Sequence, residues 1–216
     1  MESRPLHTLP YLVVDVETTG GQPTGSDRVT EIAAVLVDGD ETTLAFHSLI
    51  DPQRPIPWAI TRLTGIDDAM VRGQPTFRDI AGELAAHLVG RVFVAHNARF
   101  DLGFLGAEFA RVAPTPIEEL ISEQLCTVRL SRRILSHLPR RNLDAVSAYY
   151  GVSISDRHRA SGDALATAAV LRGLLRDASH RGVHTWGELQ DLLSARTARA
   201  KRRRVLPLGS EFTEGA

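Results

Sequence analysis

The sequence has little of what disulfide-bonded or membrane proteins depend on. Cys126 is the only cysteine in 216 residues, so no disulfide can form within the chain. No apolar run approaches the roughly 18 residues that a membrane-spanning helix needs. Residues 1–10 also lack the hydrophobic stretch of a signal peptide. We therefore expect a cytoplasmic protein without a membrane partner.

An excess of charge of one sign is also missing. The 25 Lys and Arg residues nearly balance 26 Asp and Glu residues, which leaves a formal net charge of −1. Any binding of nucleic acid must therefore come from local basic patches. The apolar fraction of 43% in a chain of this length suits one domain with a buried core. We expect this domain over residues 11–180, between an N-terminal extension at 1–10 and a short C-terminal helix in 181–200, with a disordered tail at 201–216.

Strand patterns come first along the chain and helix patterns dominate later. The turn around Gly39 separates two β-rich runs and predicts an antiparallel hairpin. Asn142 and Thr185 are predicted N-caps of two late helices. Apolar runs predict strands at 11–17, 29–37, 42–50 and 91–95, and near residue 125. Helical spacing predicts helices within 57–90, after residue 97, at 128–135 and 143–150, from about 161 and after 185.

Two acids interrupt the first predicted strand. Asp15 and Glu17 lie two residues apart, so their side chains project from the same face near the strand's carboxyl end. Two carboxylates in an apolar strand repel each other and resist desolvation unless a cation neutralises them. Hard oxygen ligands of this kind suit Mg²⁺ or Mn²⁺. A strand end with two solvated acids is the simpler interpretation of this pair alone.

Two further acids stand in the first turns of predicted helices. Asp101 follows the strand at 91–95, and Asp163 opens the apolar helix near residue 161. Helix capping alone would explain either carboxylate, because the helix dipole favours negative charge at this end. His158 lies in the loop before Asp163 and can turn toward the same cavity.

Together these fragments resemble the three motifs of the DEDDh 3′→5′ exonuclease superfamily, in the family's order. They are VDVETTG at 14–20, AHNARFD at 95–101 and HRASGDA at 158–164. The sister subclass has a tyrosine where this chain has Arg159, so the histidine subclass is the one resembled. The resemblance covers residues 12–175. It implies an α/β, RNase H-like fold, with a mixed five-stranded sheet that has one antiparallel strand and helices on both faces.

The resemblance also implies a site that holds two divalent cations, Mg²⁺ or Mn²⁺. Asp15, Glu17, Asp101 and Asp163 would be the ligands, with Asp15 shared between the ions. His158 would take the proton from the attacking water, and a histidine pKa of about 6.5 suits a base at neutral pH.

The same resemblance places the 3′-terminal nucleotide against a second set of residues. Thr18 and Thr19 would hold the nucleotide, and Leu63 and Ile66 would pack against the last bases. His96 matches a position near the terminal phosphate. Each of these residues has an alternative structural interpretation, as a turn, core or hydrogen-bonding residue.

The biological role that the resemblance favours is proofreading. Within the superfamily the chain resembles the epsilon subunit of bacterial DNA polymerase III, which implies single-stranded DNA 3′ ends as substrate, more than RNA, and a polymerase catalytic subunit as partner. A stand-alone DNA- or RNA-trimming nuclease of the RNase T or oligoribonuclease kind carries the same motifs. A non-catalytic scaffold that binds a polymerase is the alternative from another class. Arginines between 129 and 159 would hold the phosphate backbone or form a solvated face.

Overall fold

A mixed five-stranded sheet forms the centre of the structure, a computed structural model that describes residues 1–112 and 116–195. The strand order is β3-β2-β1-β4-β5. β2 runs antiparallel to both β1 and β3, whereas β4 and β5 run parallel to β1. The mixed sheet with one antiparallel strand is therefore confirmed. The strands are β1 (Tyr11–Thr18), β2 (Val29–Asp38), β3 (Glu41–Leu49), β4 (Val92–Ala95) and β5 (Glu123–Cys126).

Helices cover both faces of this sheet. One core contains the sheet face with Leu12 and Val14 and the apolar sides of α3 and α4. The other contains the face with Val13 and the apolar sides of α6 to α9. β1 is buried on both faces for this reason, which explains its unbroken apolar run. The helices are α1 (Trp58–Thr64), α2 (Asp68–Val71), α3 (Phe77–Leu88), α4 (Ala98–Val112), α5 (Ile117–Leu120), α6 (Thr127–Ile134), α7 (Leu143–Tyr150), α8 (Ala160–Ser179) and α9 (Trp186–Ser194).

Local capping signals set several helix boundaries where the sequence predicts them. The side chain of Asn142 accepts from Ala145 N–H, and Gly151 ends α7 in the left-handed region with a φ of 67°. The side chain of Thr185 accepts from Glu188 N–H at the start of α9. The short helix α5 is an addition that the sequence prediction did not include.

The last helix belongs to the same core as the sheet. Trp186 and Leu189 of α9 are buried there, together with Leu6 from the N-terminal segment. Main-chain hydrogen bonds join the N-terminal segment to the start of α9. For example, Trp186 N–H donates to the carbonyl oxygen of Arg4 at 3.0 Å. The helix therefore folds back on the domain. The predicted disordered tail at 201–216 lies outside the described residues.

The parallel strands determine where a site can form. β1, β3, β4 and β5 all point the same way, so their carboxyl ends meet at one edge of the sheet. α4 begins at this edge directly after β4. Within the described residues, no helix is long and apolar enough to cross a membrane.

Candidate active site

Asp15 and Glu17 lie at the carboxyl end of β1, half-buried and on the same face of the sheet. Burial raises the pKa of Asp15 well above its usual value, and the carboxylates of Asp101, Glu17 and Asp163 raise it further. Burial, followed by Asp163 and Glu31, raises the pKa of Glu17 to about 8. The two strand acids therefore carry an electrostatic cost that a cation would relieve.

Asp101 reaches the same place from the first turn of α4. The chain turns from β4 into this helix at Asn97, which adopts a φ of 87°. The carboxylate of Asp101 is buried, and its Oδ1 accepts a hydrogen bond from Val16 N–H at 3.3 Å. Val16 stands between the two strand acids, so this contact fixes Asp101 against them. Burial raises the pKa of Asp101 as well.

Asp163 and His158 complete the cluster from the start of α8. One ligand atom from each of Glu17, His158 and Asp163 lies within 4.8 Å of the other two. Asp15 and Asp101 lie outside this closest group but interact electrostatically with it. The structure thus brings together all five residues that the three sequence motifs single out.

Asp163 shows most directly that a cation fits the cluster. Its carboxylate is buried, and within the described residues Oδ1 has no hydrogen-bond partner. A buried carboxylate oxygen without a donor is costly, and a divalent cation can satisfy such an oxygen. Burial raises the pKa of Asp163, although the Arg157 guanidinium counteracts part of this increase. The residues present therefore fit a hard divalent metal.

Arg157 is bound to the acidic cluster, a contact that sequence reasoning missed. Its NH1 donates to Oδ2 of Asp163, and its Nε donates to Oδ1 of Asp144 at 2.8 Å. NH1 also lies 3.4 Å from Nδ1 of His158. From sequence, Arg157 was only one of several arginines flanking the third motif, and Asp144 was not singled out.

Glu31 is a second residue that sequence reasoning missed. This β2 glutamate is fully buried beside Glu17, its register partner in β1. Both nitrogens of the Arg159 fork donate to it, at 3.0 and 2.7 Å, and Ala160 N–H donates at 2.9 Å. His47 Nε2 lies 2.8 Å away. The network ties the start of α8 to the sheet. A charged residue inside the apolar run at 29–37 was the available signal.

A tight backbone approach holds the loop that carries Arg157 and His158. Asp156 and His158 both have positive φ values, of 52° and 64°. A Cβ built on Gly162 would lie 1.8 Å from the carbonyl oxygen of Ser155 and 2.9 Å from that of Asp156. Only glycine therefore allows the loop to pack this closely on the first turn of α8.

The predicted nucleotide-binding threonines already have partners within the turn after β1. Thr18 Oγ1 donates to the carbonyl of Gly20 at 2.6 Å. Thr19 Oγ1 accepts from Arg28 N–H at 3.0 Å. Both side chains are buried. Their hydroxyl groups shape the turn, and a substrate contact for either remains a prediction.

The two apolar residues predicted to contact the substrate differ in accessibility. Leu63 is 53% exposed at the end of α1, whereas Ile66 is fully buried with Ile56 and Val71. Packing therefore accounts for Ile66, and only Leu63 presents an open apolar surface.

Both ring nitrogens of His96 have hydrogen-bond partners within the fold. Its Nδ1 lies 2.9 Å from Thr127 Oγ1, and its Nε2 lies 3.0 Å from the carbonyl oxygen of Arg141. A carbonyl only accepts, so the proton is on Nε2. Burial lowers the pKa of His96 to about 4, so the ring is neutral at pH 7. Contact with a terminal phosphate remains a prediction.

Two cavities and two of the predicted phosphate-binding arginines were located relative to the cluster. A cavity of about 440 Å³ lies between the turn after β1 and the start of α4, lined by Pro23, Asn97 and Phe100 among others. A larger cavity of about 750 Å³ lies against the second half of α8 and includes none of the five clustered residues. Arg133 and Arg141 donate to main-chain carbonyls, so they stabilise the fold rather than face solvent freely.

A mixed sheet with an acidic cluster at the carboxyl edge of its first strand defines the class of protein as an RNase H-like nuclease domain. The chain belongs to the exonuclease family, because the RNase_T exonuclease model matches residues 12–171. It is therefore a nuclease, which makes it a hydrolase.

Named relatives support this assignment. The chain is 41% identical over 203 residues to a putative bifunctional exonuclease/endonuclease protein of Mycobacterium tuberculosis, covering 91% of this chain and 31% of that protein. It is 37% identical over 187 residues to a DNA polymerase III subunit epsilon-like protein of Rhodobacter capsulatus, covering 85% and 26%. The chain thus spans about a third or less of these relatives. The structure of exonuclease X in complex with 5′-overhanging duplex DNA matches with a TM-score of 0.63 and 26% identity, over 85% of this chain and 99% of that one.

Proposed function

We propose that this chain is a metal-dependent 3′→5′ exonuclease that releases nucleoside monophosphates from DNA 3′ ends. The observation that carries the proposal is the meeting of four carboxylates and one histidine at a single sheet edge, with one buried oxygen of Asp163 left without a donor. A solvated acidic surface would not bury Asp101 and Asp163, because desolvation without compensation is unfavourable.

Asp15, Glu17, Asp101 and Asp163 would hold the cations, and Mg²⁺ or Mn²⁺ matches their hard oxygen ligands. When bound, two such ions would activate a water and neutralise charge on the phosphate in the transition state. The protein's own part is to hold these carboxylates together and correctly oriented, whereas the bound cations would favour their charged forms. Val16 N–H contributes by fixing Asp101 against β1.

His158 would act on the proton of the attacking water. The water oxygen bonds to the terminal phosphorus while the bond from phosphorus to the preceding 3′ oxygen breaks. The departing 3′ oxygen takes a proton from solvent and becomes the 3′-hydroxyl of the shortened strand, and a nucleoside 5′-monophosphate leaves. The imidazole takes the water's proton as this happens, which requires one unprotonated ring nitrogen.

Proofreading for a DNA polymerase is the role that we propose. The support is the similarity to the epsilon-like protein of Rhodobacter capsulatus, together with the DNA in the exonuclease X complex. A proofreading nuclease needs access to an unpaired 3′ end and a polymerase catalytic subunit as partner. Leu63, which is exposed at the end of α1, would contact the terminal bases of that strand.

A stand-alone nuclease that trims DNA or RNA ends is the second candidate. One observation favours it, since the match to exonuclease X covers 99% of that chain. A chain of about this extent therefore forms the solved exonuclease X structure without a further domain in that chain.

A product ladder tests both candidates and the mechanism. The protein is incubated with 5′-labelled single-stranded DNA, its RNA equivalent and a primer–template with a mismatched 3′ end, with Mg²⁺, with Mn²⁺ and with chelator. We expect shortening from the 3′ end that is abolished by chelator. Asp15→Ala should remove at least about 10³-fold of the activity, since metal charge stabilisation supplies several kcal/mol, while the circular dichroism spectrum is unchanged.

The substrates then separate the roles. Faster removal of mismatched than matched DNA ends supports proofreading, and faster shortening of RNA supports a trimming nuclease. No shortening of any substrate with either metal would contradict catalysis and favour the polymerase-binding scaffold.

A further inference from the structure

Arg157 is the only basic side chain of the described residues that hydrogen-bonds to a carboxylate of the acidic cluster. Its NH1 binds Oδ2 of Asp163, whose side chain is only 5% exposed. Its Nε is held by the exposed Asp144 on α7. The guanidinium therefore bridges a solvent-facing acid and a buried one.

We infer that Arg157 is a positioning residue that competes with the divalent cation for Asp163, so that loading the site with metal requires Arg157 to release this carboxylate. The inference rests on the proposed function of the site. Asp144 is the anchor that keeps Arg157 at the rim of the site after the release.

Electrostatics is the first argument for competition. Both a guanidinium and a divalent ion are stabilised by the same small set of carboxylates, and they repel each other within a half-buried site. Asp163 has one oxygen on Arg157 and one without a hydrogen-bond partner in the described residues. A metal ion on the second oxygen would bind the same carboxylate group as the positively charged Arg157. Holding both positive charges on this one carboxylate is therefore unfavourable.

The histidine supplies the second argument. Arg157 only donates hydrogen bonds, so Nδ1 of His158 accepts in the 3.4 Å contact. In this arrangement the lone pair of Nδ1 is held by Arg157, so this nitrogen cannot take the proton of the water. His158 can act as a base only after Arg157 has moved away. The same movement would therefore free both the metal ligand and the base.

The geometry of the anchor makes this movement inexpensive. Nε and NH1 are different nitrogens of one fork, and Nε alone binds Asp144 at 2.8 Å. Rotation about the side-chain torsions can withdraw NH1 from Asp163 while the contact with Asp144 is kept or re-formed. The side chain is 32% exposed, so solvent is available to the released donors.

The contact with Asp163 would also fit an opposite role for Arg157. The direction of the change in metal affinity distinguishes the two roles. An arginine that orients a metal-binding carboxylate from outside would increase metal affinity, and removing such a partner typically weakens binding by about 10–100-fold. Competition predicts the reverse, tighter binding after removal. The two roles therefore differ in direction and not only in size.

The experiment is calorimetric titration of Mn²⁺ into the full chain without nucleic acid, for the wild type, Arg157→Gln and Arg157→Lys. We expect Arg157→Gln to bind Mn²⁺ about tenfold more tightly, which corresponds to about 1.4 kcal/mol. Arg157→Lys keeps the charge but cannot hold Asp144 and Asp163 together, so we expect about threefold tighter binding. This second variant keeps the test open if the first does not fold.

Arg140→Gln is the matched control, because it removes the same charge from an exposed arginine nearby. Its Mn²⁺ affinity should stay within about twofold of the wild type, since exposed charges are screened. Thermal unfolding in chelator adds an independent measurement. Arg157→Gln should melt at a lower temperature than the wild type there, and saturating Mn²⁺ should remove the difference.

Unchanged or weaker Mn²⁺ binding by Arg157→Gln would overturn the competition. The proposed function fails separately, if the wild type binds no Mn²⁺ or if Asp15→Ala binds it as well as the wild type. If Asp15→Ala abolishes Mn²⁺ binding and Arg157→Gln leaves the Mn²⁺ affinity unchanged, the competition is contradicted and the proposed function is not.

Discussion

Glu17 shows at the scale of one residue how crowding makes the site costly without a cation. Burial, with help from Asp163 and Glu31, raises its pKa to about 8. A carboxyl group with a raised pKa stabilises the fold fully below its unfolded pKa of about 4.3. This contribution is lost as the pH rises through the folded value, because the native state then has to hold a desolvated charge.

Glu17→Gln should remove this pH dependence from the metal-free protein. In chelator, the free energy of unfolding of the wild type should fall steadily relative to the variant from about pH 5 and level off once the pH passes the folded pKa of about 8. Urea denaturation at several pH values measures the difference. A constant difference across this range would show that Glu17 does not titrate with a raised pKa.

Glu31 has the opposite electrostatic character, although it is even more deeply buried. Burial raises its pKa, but hydrogen bonds from Arg159, His47 and Ala160 outweigh that effect and lower it below its usual value. The stability that Glu31 contributes is therefore present above the unfolded pKa of about 4.3 and lost as the pH falls through the folded one.

Glu31→Gln should destabilise the protein by about 2 kcal/mol at pH 7, because Arg159 loses its charged partner and Ala160 N–H loses a strong acceptor. The penalty should shrink as the pH falls below about 4. Glu83→Gln, on the exposed side of α3, is the control and should stay within about 0.5 kcal/mol of the wild type. Equal stability of both variants at pH 7 would contradict the network.

At the scale of elements, the start of α8 is the part of the fold on which the site depends most. Its first turn carries Asp163, the preceding loop carries Arg157 and His158, and β2 holds it through Glu31. The loop packs on the helix at Gly162, where no side chain fits. A change there should therefore displace the loop without removing any of its polar groups.

Gly162→Ala should destabilise the protein by about 1–3 kcal/mol, because the added methyl group would overlap the carbonyl of Ser155. Exonuclease activity should fall as well, since His158 shifts with the loop. Gly82→Ala is the matched control in α3, where a Cβ meets nothing within 4 Å. Helix propensity predicts that the free energy of unfolding of this control increases by about 0.5–1 kcal/mol. Thermal unfolding and the product ladder compare the two, and full activity in Gly162→Ala would refute the tight approach.

At the scale of the whole molecule, the two ends of the described chain close one core together. Trp186 is 1% exposed in the core that also contains Leu6, and Trp186 N–H donates to Arg4. The segment before β1 and the helix after α8 therefore stabilise the sheet face opposite α3 and α4.

Trp186→Ala should cost about 3–5 kcal/mol of unfolding free energy, as is usual for a buried large aromatic side chain. Trp58→Ala, at a tryptophan that is 70% exposed, should change stability by no more than about 0.5 kcal/mol. Denaturant unfolding followed by circular dichroism measures both. Similar stabilities of the two variants would show that α9 is not part of the cooperative core.

The elements that the sequence predicted are those whose signals are local. The strand at β1 follows from its apolar run, and α7 and α9 follow from the caps at Asn142 and Thr185. The meeting of Asp15, Glu17, Asp101, His158 and Asp163 followed from three motifs, and the structure brings these residues to one edge. The order of the strands followed only from the resemblance, because periodicity does not specify which strands are neighbours.

Acid spacing and motif order depend only on the chain, so they already indicated which residue types could do chemistry here. The partners of these residues became apparent only once the chain was folded. In the folded chain Arg159 donates to Glu31, and Arg157 donates to both Asp144 and Asp163. Folding also buries Ile66 and leaves Leu63 exposed. These contacts join residues from separate strands and helices, and no local pattern of spacing or propensity specifies contacts that form only when distant segments pack.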